Sequence, residues 1–535
     1  MTINMKNILK GLAVAVCFST LLTACTKNFE YFNTNQHQAT EELMDRDDLK
    51  TGALFGQMLR AVYVYNDGIE EHYDSDYQIA YNLLADSYAG YLAPTLASNN
   101  GVHCGSYFMT EGWRRAMFSY SYTRGISAYV QLSRVAADKE QVMALANIVK
   151  VTLMHRVTDY YGPVPYSKIG ASLAVEYDSQ EDIYNQFFKE LGDAIDVLNE
   201  FKSANPGSAL LAGYDIVYGG DVTKWIMYAN SLRLRLAMRV VYADAALAQA
   251  EAEKSIADMT GVMAEAKDVA KINKMYTSYS HPVLTINEAF NDGDTQMGAS
   301  MDSYLNGYAD PRLPLYFKQA GKGGYHGVRN GIHTTDWSPY RNSTGFVSAP
   351  NMGNAELVWM AASEVAFLRA EGALRGWNMG GSAKDLYEQG VRLSFEETGA
   401  GAADNYLAST KTPADFVDAT TNGGNAAAMT KVTPKWDDAA ATEENLERII
   451  TQKWIAMFPN GCEAWAEYRR TGYPALLPVL NNDSEGAVNT DLQIRRVPYP
   501  HDEYSTNPAG VASGVAKLGG SDNAGTKLWW DKKSR

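Results

Sequence analysis

Val142, Leu145, Val149 and Leu153 recur every three or four residues, and this spacing is the strongest constraint on what the chain can fold into. It places apolar side chains on one face of an α-helix, which must then be buried against a neighbour. The same period runs through Leu54, Met58, Ala61 and Tyr65, and through Ile183, Phe187, Leu191, Ile195 and Leu198. It returns in Trp225, Tyr228, Leu232, Leu236 and Val240, in Leu357, Ala361, Val365 and Leu368, and in Leu446, Ile450, Trp454 and Met457. Start signals agree with two of these runs. Ser179 precedes Asp182 by three positions and Ser382 precedes Asp385 by three, both in capping-box form. Tyr161-Gly162-Pro163 predicts a helix end, because a helix does not continue through Pro163 and Pro165. Clear strand alternation is scarce. The expected class is mainly α, with paired helices stacked as a helix-turn-helix solenoid.

The period weakens between about 262 and 350, where Gly293, Gly298, Gly307, Gly321, Gly323, Gly324, Gly327, Gly331 and Gly345 cluster with Asn, Tyr and Pro. Residues 399–440 are rich in Ala, Gly, Thr and Asn, and the tail from 480 in Gly, Ser and Asn. Loops this long inside a packed body are usually functional or disordered. The hydrophobic share of 46% and charged share of 20% exclude disorder for most of the chain. The sequence therefore predicts a helical scaffold carrying loop-rich insertions, with the folded body spanning 46–535.

The first residues read as an address. Lys6 and Lys10 precede an apolar run from Gly11 to Leu22, too short to cross a bilayer, which needs about 20 residues. Leu22-Thr23-Ala24-Cys25 closes it and looks like a bacterial lipobox. That resemblance implies a signal peptide over 1–24, cleavage before Cys25, and acyl chains on Cys25. Acylation at several positions exceeds the two-signal threshold for stable anchoring. Residues 25–45, with the polar run Asn33-Thr34-Asn35-Gln36, suit a lipidated tether. A formal net charge of −15 argues against nucleic acid, or an anionic membrane surface, as a partner through a basic face. Cys104 and Cys462 remain in the body and read as isolated buried thiols, with a disulfide between them as the alternative.

Several landmarks then occur in a fixed order. Phe32-Asn33-Thr34-Asn35 follows the lipobox, and His155 to Tyr166 ends in aromatic-Gly-Pro-Val-Pro-Tyr. Trp225 to Arg239 is a long mid-chain helix, and Met360 to Gly372 reads MAASEVAFLRAEG. Leu446 to Arg470 leads into Tyr468-Arg469-Arg470-Thr471-Gly472. Arg496-Val497-Pro498-Tyr499-Pro500 closes with Glu503, Asn507 and Pro508, and the tail carries Lys527-Leu528-Trp529-Trp530-Asp531. In this order the chain resembles the SusD/RagB family of outer-membrane nutrient-binding lipoproteins over nearly its whole length. The resemblance implies about eight tetratricopeptide-type helices supporting a loop-rich ligand-binding half. It also implies a partner, a SusC-like TonB-dependent transporter, with the lipoprotein as its lid, and an outer-membrane location on the cell surface.

Catalytic signatures are scarce. There is no HExxH and no GxSxG elbow or phosphate loop. His103-Cys104 stands alone, and Asn291-Asp292-Gly293-Asp294 lacks the terminal Glu of a calcium loop. No metal, cofactor or catalytic residue is expected, although carboxylate pairs near Glu70, Glu71, Asp74 and Asp76 keep a secreted hydrolase as an alternative. A structural assembly lipoprotein is a further one.

Binding is the better-supported chemistry. Sugars present flat C–H faces edged with hydroxyls, which match Trp and Tyr rings flanked by Asn, Asp and Arg. Tyr73, Tyr77 and Trp113 lie in one such stretch. Asp336, Trp337, Tyr340 and Arg341 lie in another, between glycines and outside any helical stripe. Trp337 and Tyr340 are expected to be exposed, close to one or more of Tyr73, Tyr77 and Trp113, with Asp336 and Arg341 as a polar rim. Core packing is the competing fate of each ring. The expected ligand is an oligosaccharide, with a peptide or other nutrient as the alternative cargo.

Overall fold

Helix α2 (Glu140–Tyr161) forms where the apolar period predicts it and runs for 22 residues. The computed structural model describes residues 48–68, 74–172, 174–422 and 424–534. The leader, Cys25, the tether and Tyr73 lie outside the described residues. Residues 52–535 form one compact unit; of the unit before it, only 48–51 are described.

The other stripes map onto α1 (Leu49–Ala61), α3 (Gln180–Ala204), α4 (Val222–Val240), α6 (Ala362–Leu374) and α8 (Thr442–Ala456). Between them stand α5 (Ala245–Ala257) and α7 (Ala383–Thr398), and after them α9 (Gly461–Thr471). Helix α2 packs on α3, α3 on α4, α4 on α5 and α6, and α6 on α7 and α8, which makes a row of paired helices. The mainly helical class holds, although the described residues contain more than eight helices.

The capping expectations hold at atomic detail. The side chains of Ser179 and Ser382 accept the backbone N–H of Asp182 and Asp385, each at 3.1 Å. Helix α2 stops at Gly162, whose φ of 85° suits only a residue without a Cβ. Three stripes are longer than their helices: Tyr65 lies beyond α1, Met457 lies beyond α8, and the third starts before α6. Leu357 is buried, but Val358–Met360 is strand β4 and α6 begins at Ala362. Ladder pairing with strand β2 (Ala270–Lys271) holds that segment extended. A second small sheet pairs β1 (Leu92–Pro94) antiparallel with β3 (Thr295–Met297), with Ala93 opposite Gln296. It ties the segment after the first helices to the loop-rich insertion.

The arginines of α4 and α9 close a buried charge network. Arg235 grips both carboxylate oxygens of Glu364 at 2.7 Å. Arg239 donates to Glu463 at 2.6 Å and to Glu467 at 2.9 Å. Lys453 lies 3.0 Å from Glu467, and Arg470 bridges Glu467 and Glu371. Burial alone would raise the Glu463 carboxyl, but Arg239, Arg235 and Lys453 overcome it and hold it at about 2. The network joins four helices through side chains that are almost wholly inaccessible, so its role is architectural. Arg233 has a different fate. It is buried, makes no ion pair among the described residues, and donates to Asn230 and Ser255. Cys104 and Cys462 are both free and buried.

Candidate functional site

The loop carrying Trp337 and Tyr340 turns inward. Trp337 is 7% exposed and Tyr340 1%, against the expectation that both rings face solvent. They pack with Ala93, Val328, Ile332 and Val347 in a small apolar cluster separate from the main core. Their ring centroids stand 5.7 Å apart. A loop without a helical stripe can still bury its aromatics when distant segments supply the other wall. Here β1 supplies Ala93, and the insertion around 420 supplies polar partners. The Tyr340 hydroxyl accepts Asn422 Nδ2 at 2.7 Å and Thr420 Oγ1 at 3.3 Å. Burial raises the Tyr340 phenol, and the Thr420 and Asn422 hydrogen bonds oppose it.

Asp336 and Arg341 behave differently from each other. Asp336 is exposed and accepts the Ser338 backbone N–H at 3.0 Å and its hydroxyl at 2.6 Å. Those two bonds hold its carboxyl below the ordinary range. Arg341 is half-buried, donates to the Gly293 carbonyl at 2.9 Å and lies 3.7 Å from Asp294. It clamps the loop to the turn at 291–294 instead of standing on the rim.

Trp113 is half-buried, with its ring 6.4 Å from that of His103. The segment 99–106 lies between Trp113 and the 337 loop. Gly101 has φ +98°, and a Cβ there would meet the Ile332 carbonyl oxygen at 2.0 Å and Trp337 at 3.3 Å. Only glycine lets the two loops approach this closely. Thr334 donates its N–H to the Asn100 carbonyl at 3.2 Å, which leaves Asn99 and Asn100 exposed beside it. Tyr77 is not part of this face. It is 2% exposed and packs in the main core against Tyr63, Tyr81 and His281.

A hollow of about 80 Å³ opens beside Tyr340, lined by Arg329, His333, Asp418, Asn422 and Asn481 among others. His333 Nε2 is 2.7 Å from Asp483, and Arg329 donates to the carbonyls of Pro478 and Gly424. Sequence reasoning marked 399–440 as loop-rich but named no residue in it. Asp418 and Asn422 reach this hollow only through the fold, and no local pattern announces them. Hydroxyl-bearing ligands find both donors and acceptors here, beside apolar surface. A much larger cleft lies elsewhere, next to α6 and α7. Among the described residues no group of three His, Cys, Asp or Glu is arranged to hold a metal, and no helix is long and apolar enough to cross a membrane.

A family model described as SusD-like, SusD and RagB outer membrane lipoprotein, matches residues 31–531. The chain belongs to this family. A chitin-binding SusD homologue from Flavobacterium johnsoniae is 39% identical, with 91% of this chain and 99% of that one covered and a TM-score of 0.86. A SusD homologue from Bacteroides vulgatus is 36% identical over 91% of this chain and 99% of its own, with a TM-score of 0.85. One from Bacteroides uniformis is 39% identical over 91% and 100%, with a TM-score of 0.82. None of the curated proteins compared with the chain matches it. Membership in the SusD-like family supports an outer-membrane location, as the order of motifs implied.

Proposed function

We propose that the protein is a non-catalytic lipoprotein, anchored through Cys25 on the cell surface, that binds an oligosaccharide and delivers it to a SusC-like TonB-dependent transporter. The observation that carries the reading is its 39% identity, over 91% of the chain, to a SusD homologue described as chitin-binding. The loop face supports it chemically. Trp113 offers a partly exposed ring, Asn99, Asn100, His333 and Asp336 offer hydrogen-bonding groups, and Asn422 and Asp418 line the hollow behind them. Trp337 and Tyr340 serve as the buried floor that fixes these groups, and Arg341 as the clamp beneath.

The test is calorimetric titration of the mature protein with N-acetylglucosamine oligomers and a panel of other glycans, with chromatography of the products. Binding without cleavage, weakened about tenfold or more by Trp113→Ala with Asn422→Ala, is the expected result. Shortened products would favour a hydrolase. Binding to a peptide library with no affinity for any glycan would replace the cargo. Co-purification with a TonB-dependent barrel from membranes tests the partner.

A further inference from the structure

The cleft beside α6 and α7 encloses about 650 Å³, within the range of about 300–1,000 Å³ typical of small-molecule sites. It is distinct from the loop face and shares no lining residue with the hollow at Tyr340. Its walls come from β2, β4, the start of α6, the end of α7 and the turn after α8. One wall is aromatic. Tyr316 and Phe458 line it with ring centroids 4.9 Å apart. Asn351, Asn354 and Asn460 add amides. The cleft is thus amphipathic, as a saccharide site must be.

Its charge is one-sided. Lys271 contributes the only positive side chain of the lining, and Glu356 neutralises it at 2.5 Å. Arg235 neutralises Glu364 from behind. Glu396 and Glu397 remain, and neither has an ion-pair partner among the described residues. Both lie in the last turn of α7, where the helix carbonyls already make the potential negative and where a cation is the favoured occupant. Glu397 accepts the backbone N–H of Ser363 at 3.0 Å and the Ser363 hydroxyl, which holds one carboxylate at the cleft wall. Burial pushes that carboxyl up to about 7, consistent with a site short of positive charge. Anionic sugars are disfavoured here on the same grounds.

We infer that this cleft is a second binding site, for a saccharide bearing a protonated amine, with Glu396 as its counter-ion, Glu397 as a hydrogen-bonding group of the wall and the Tyr316–Phe458 wall against the ring face. The inference does not depend on transport or on the cargo of the loop face. Glu396 is exposed and its side chain makes no hydrogen bond or ion pair among the described residues, so it is the position to change. The experiment titrates the mature protein with a glucosamine tetramer, its fully N-acetylated counterpart and ethylamine, at a pH where the amines are protonated. The glucosamine tetramer is expected to bind at least tenfold tighter than the acetylated one, and Glu396→Lys to remove that advantage while leaving the melting temperature and the affinity for the acetylated tetramer unchanged. An advantage of the glucosamine tetramer that survives Glu396→Lys, or no such advantage once the loop face is removed by Trp113→Ala with Asn422→Ala, overturns the site. Ethylamine binding as tightly as the glucosamine tetramer overturns the saccharide part. Failure of the acetylated tetramer alone bears only on the loop face.

Discussion

Arg470 holds Glu371 through both guanidinium nitrogens, at 2.8 and 2.6 Å, across 99 positions of sequence. The pair fastens α9 to α6 inside the protein, where neither side chain meets water. Replacing Glu371 takes away one of the two carboxylates that Arg470 shares with Glu467, deep inside the protein. Glu371→Gln is therefore expected to destabilise the fold by about 3–5 kcal/mol, read as a lowered midpoint in chemical denaturation. A midpoint within error of the parent would show that water or rearrangement satisfies Arg470.

Acid should attack the same network. The Glu463 carboxyl is held at about 2 against an ordinary 4.5, and Glu467 well below its ordinary value. Carboxylates depressed by folding stabilise above their unfolded pKa, and that contribution disappears as the pH falls through the folded value. Thermal melts should show stability declining from about pH 4.5 downwards, with a shallower decline in Glu463→Gln, which starts from a lower plateau.

Asp86 predicts the opposite slope. It is 2% exposed and has no ion-pair partner among the described residues. Burial raises its carboxyl from 3.8 to about 7, with Asn82 opposing. The folded protein then holds a proton that the unfolded chain releases, so this group costs stability as the pH rises from about 4 to 7. Asp86→Asn should flatten the melting-temperature profile over that window and raise it at pH 8. An unchanged slope would mean that Asp86 is ionised in the fold.

Trp337 should behave as a packing residue. Trp337→Ala is expected to cost about 3–5 kcal/mol, the range for a buried Trp. Any loss of ligand affinity should follow from collapse of the loop that presents Asn99 and Asp336. Full stability with lost binding would restore the ring to the ligand surface.

For the anchor, Cys25→Ala should release the protein from the membrane or leave an uncleaved precursor. Mass spectrometry of the membrane fraction checks this. Unchanged mass and unchanged membrane retention would remove Cys25 from the role.

What could be read in advance follows the range of the forces involved. Helices α2, α3 and α4 were legible because a 3.6-residue period, the Ser179 cap and the Gly162 stop are all local. Leu357 misled because the helical spacing continues back to it, while the strand that follows it, Val358–Met360, is set by Ala270 and Lys271, far off in sequence. Tyr340 misled for the same reason on a larger scale. Its polar partners are 80 and 82 positions away, so nothing near it in the sequence marks it as interior. Arg341 looked like a rim because arginines in loops usually are, and only the turn at Gly293 makes it a clamp. Asp418 and Asn422 had no local signal at all.

The charge network also carries a consequence for biogenesis. Arg235 and Arg239 are synthesised well before their partners Glu364, Glu463 and Glu467, which lie 129, 224 and 228 positions downstream. A chain cut short before α9 would have to bury Arg239 with most of its counter-charge missing, which is strongly unfavourable. The scaffold therefore cannot close until its last third is available. Products truncated before α9 are therefore expected to stay open to proteases.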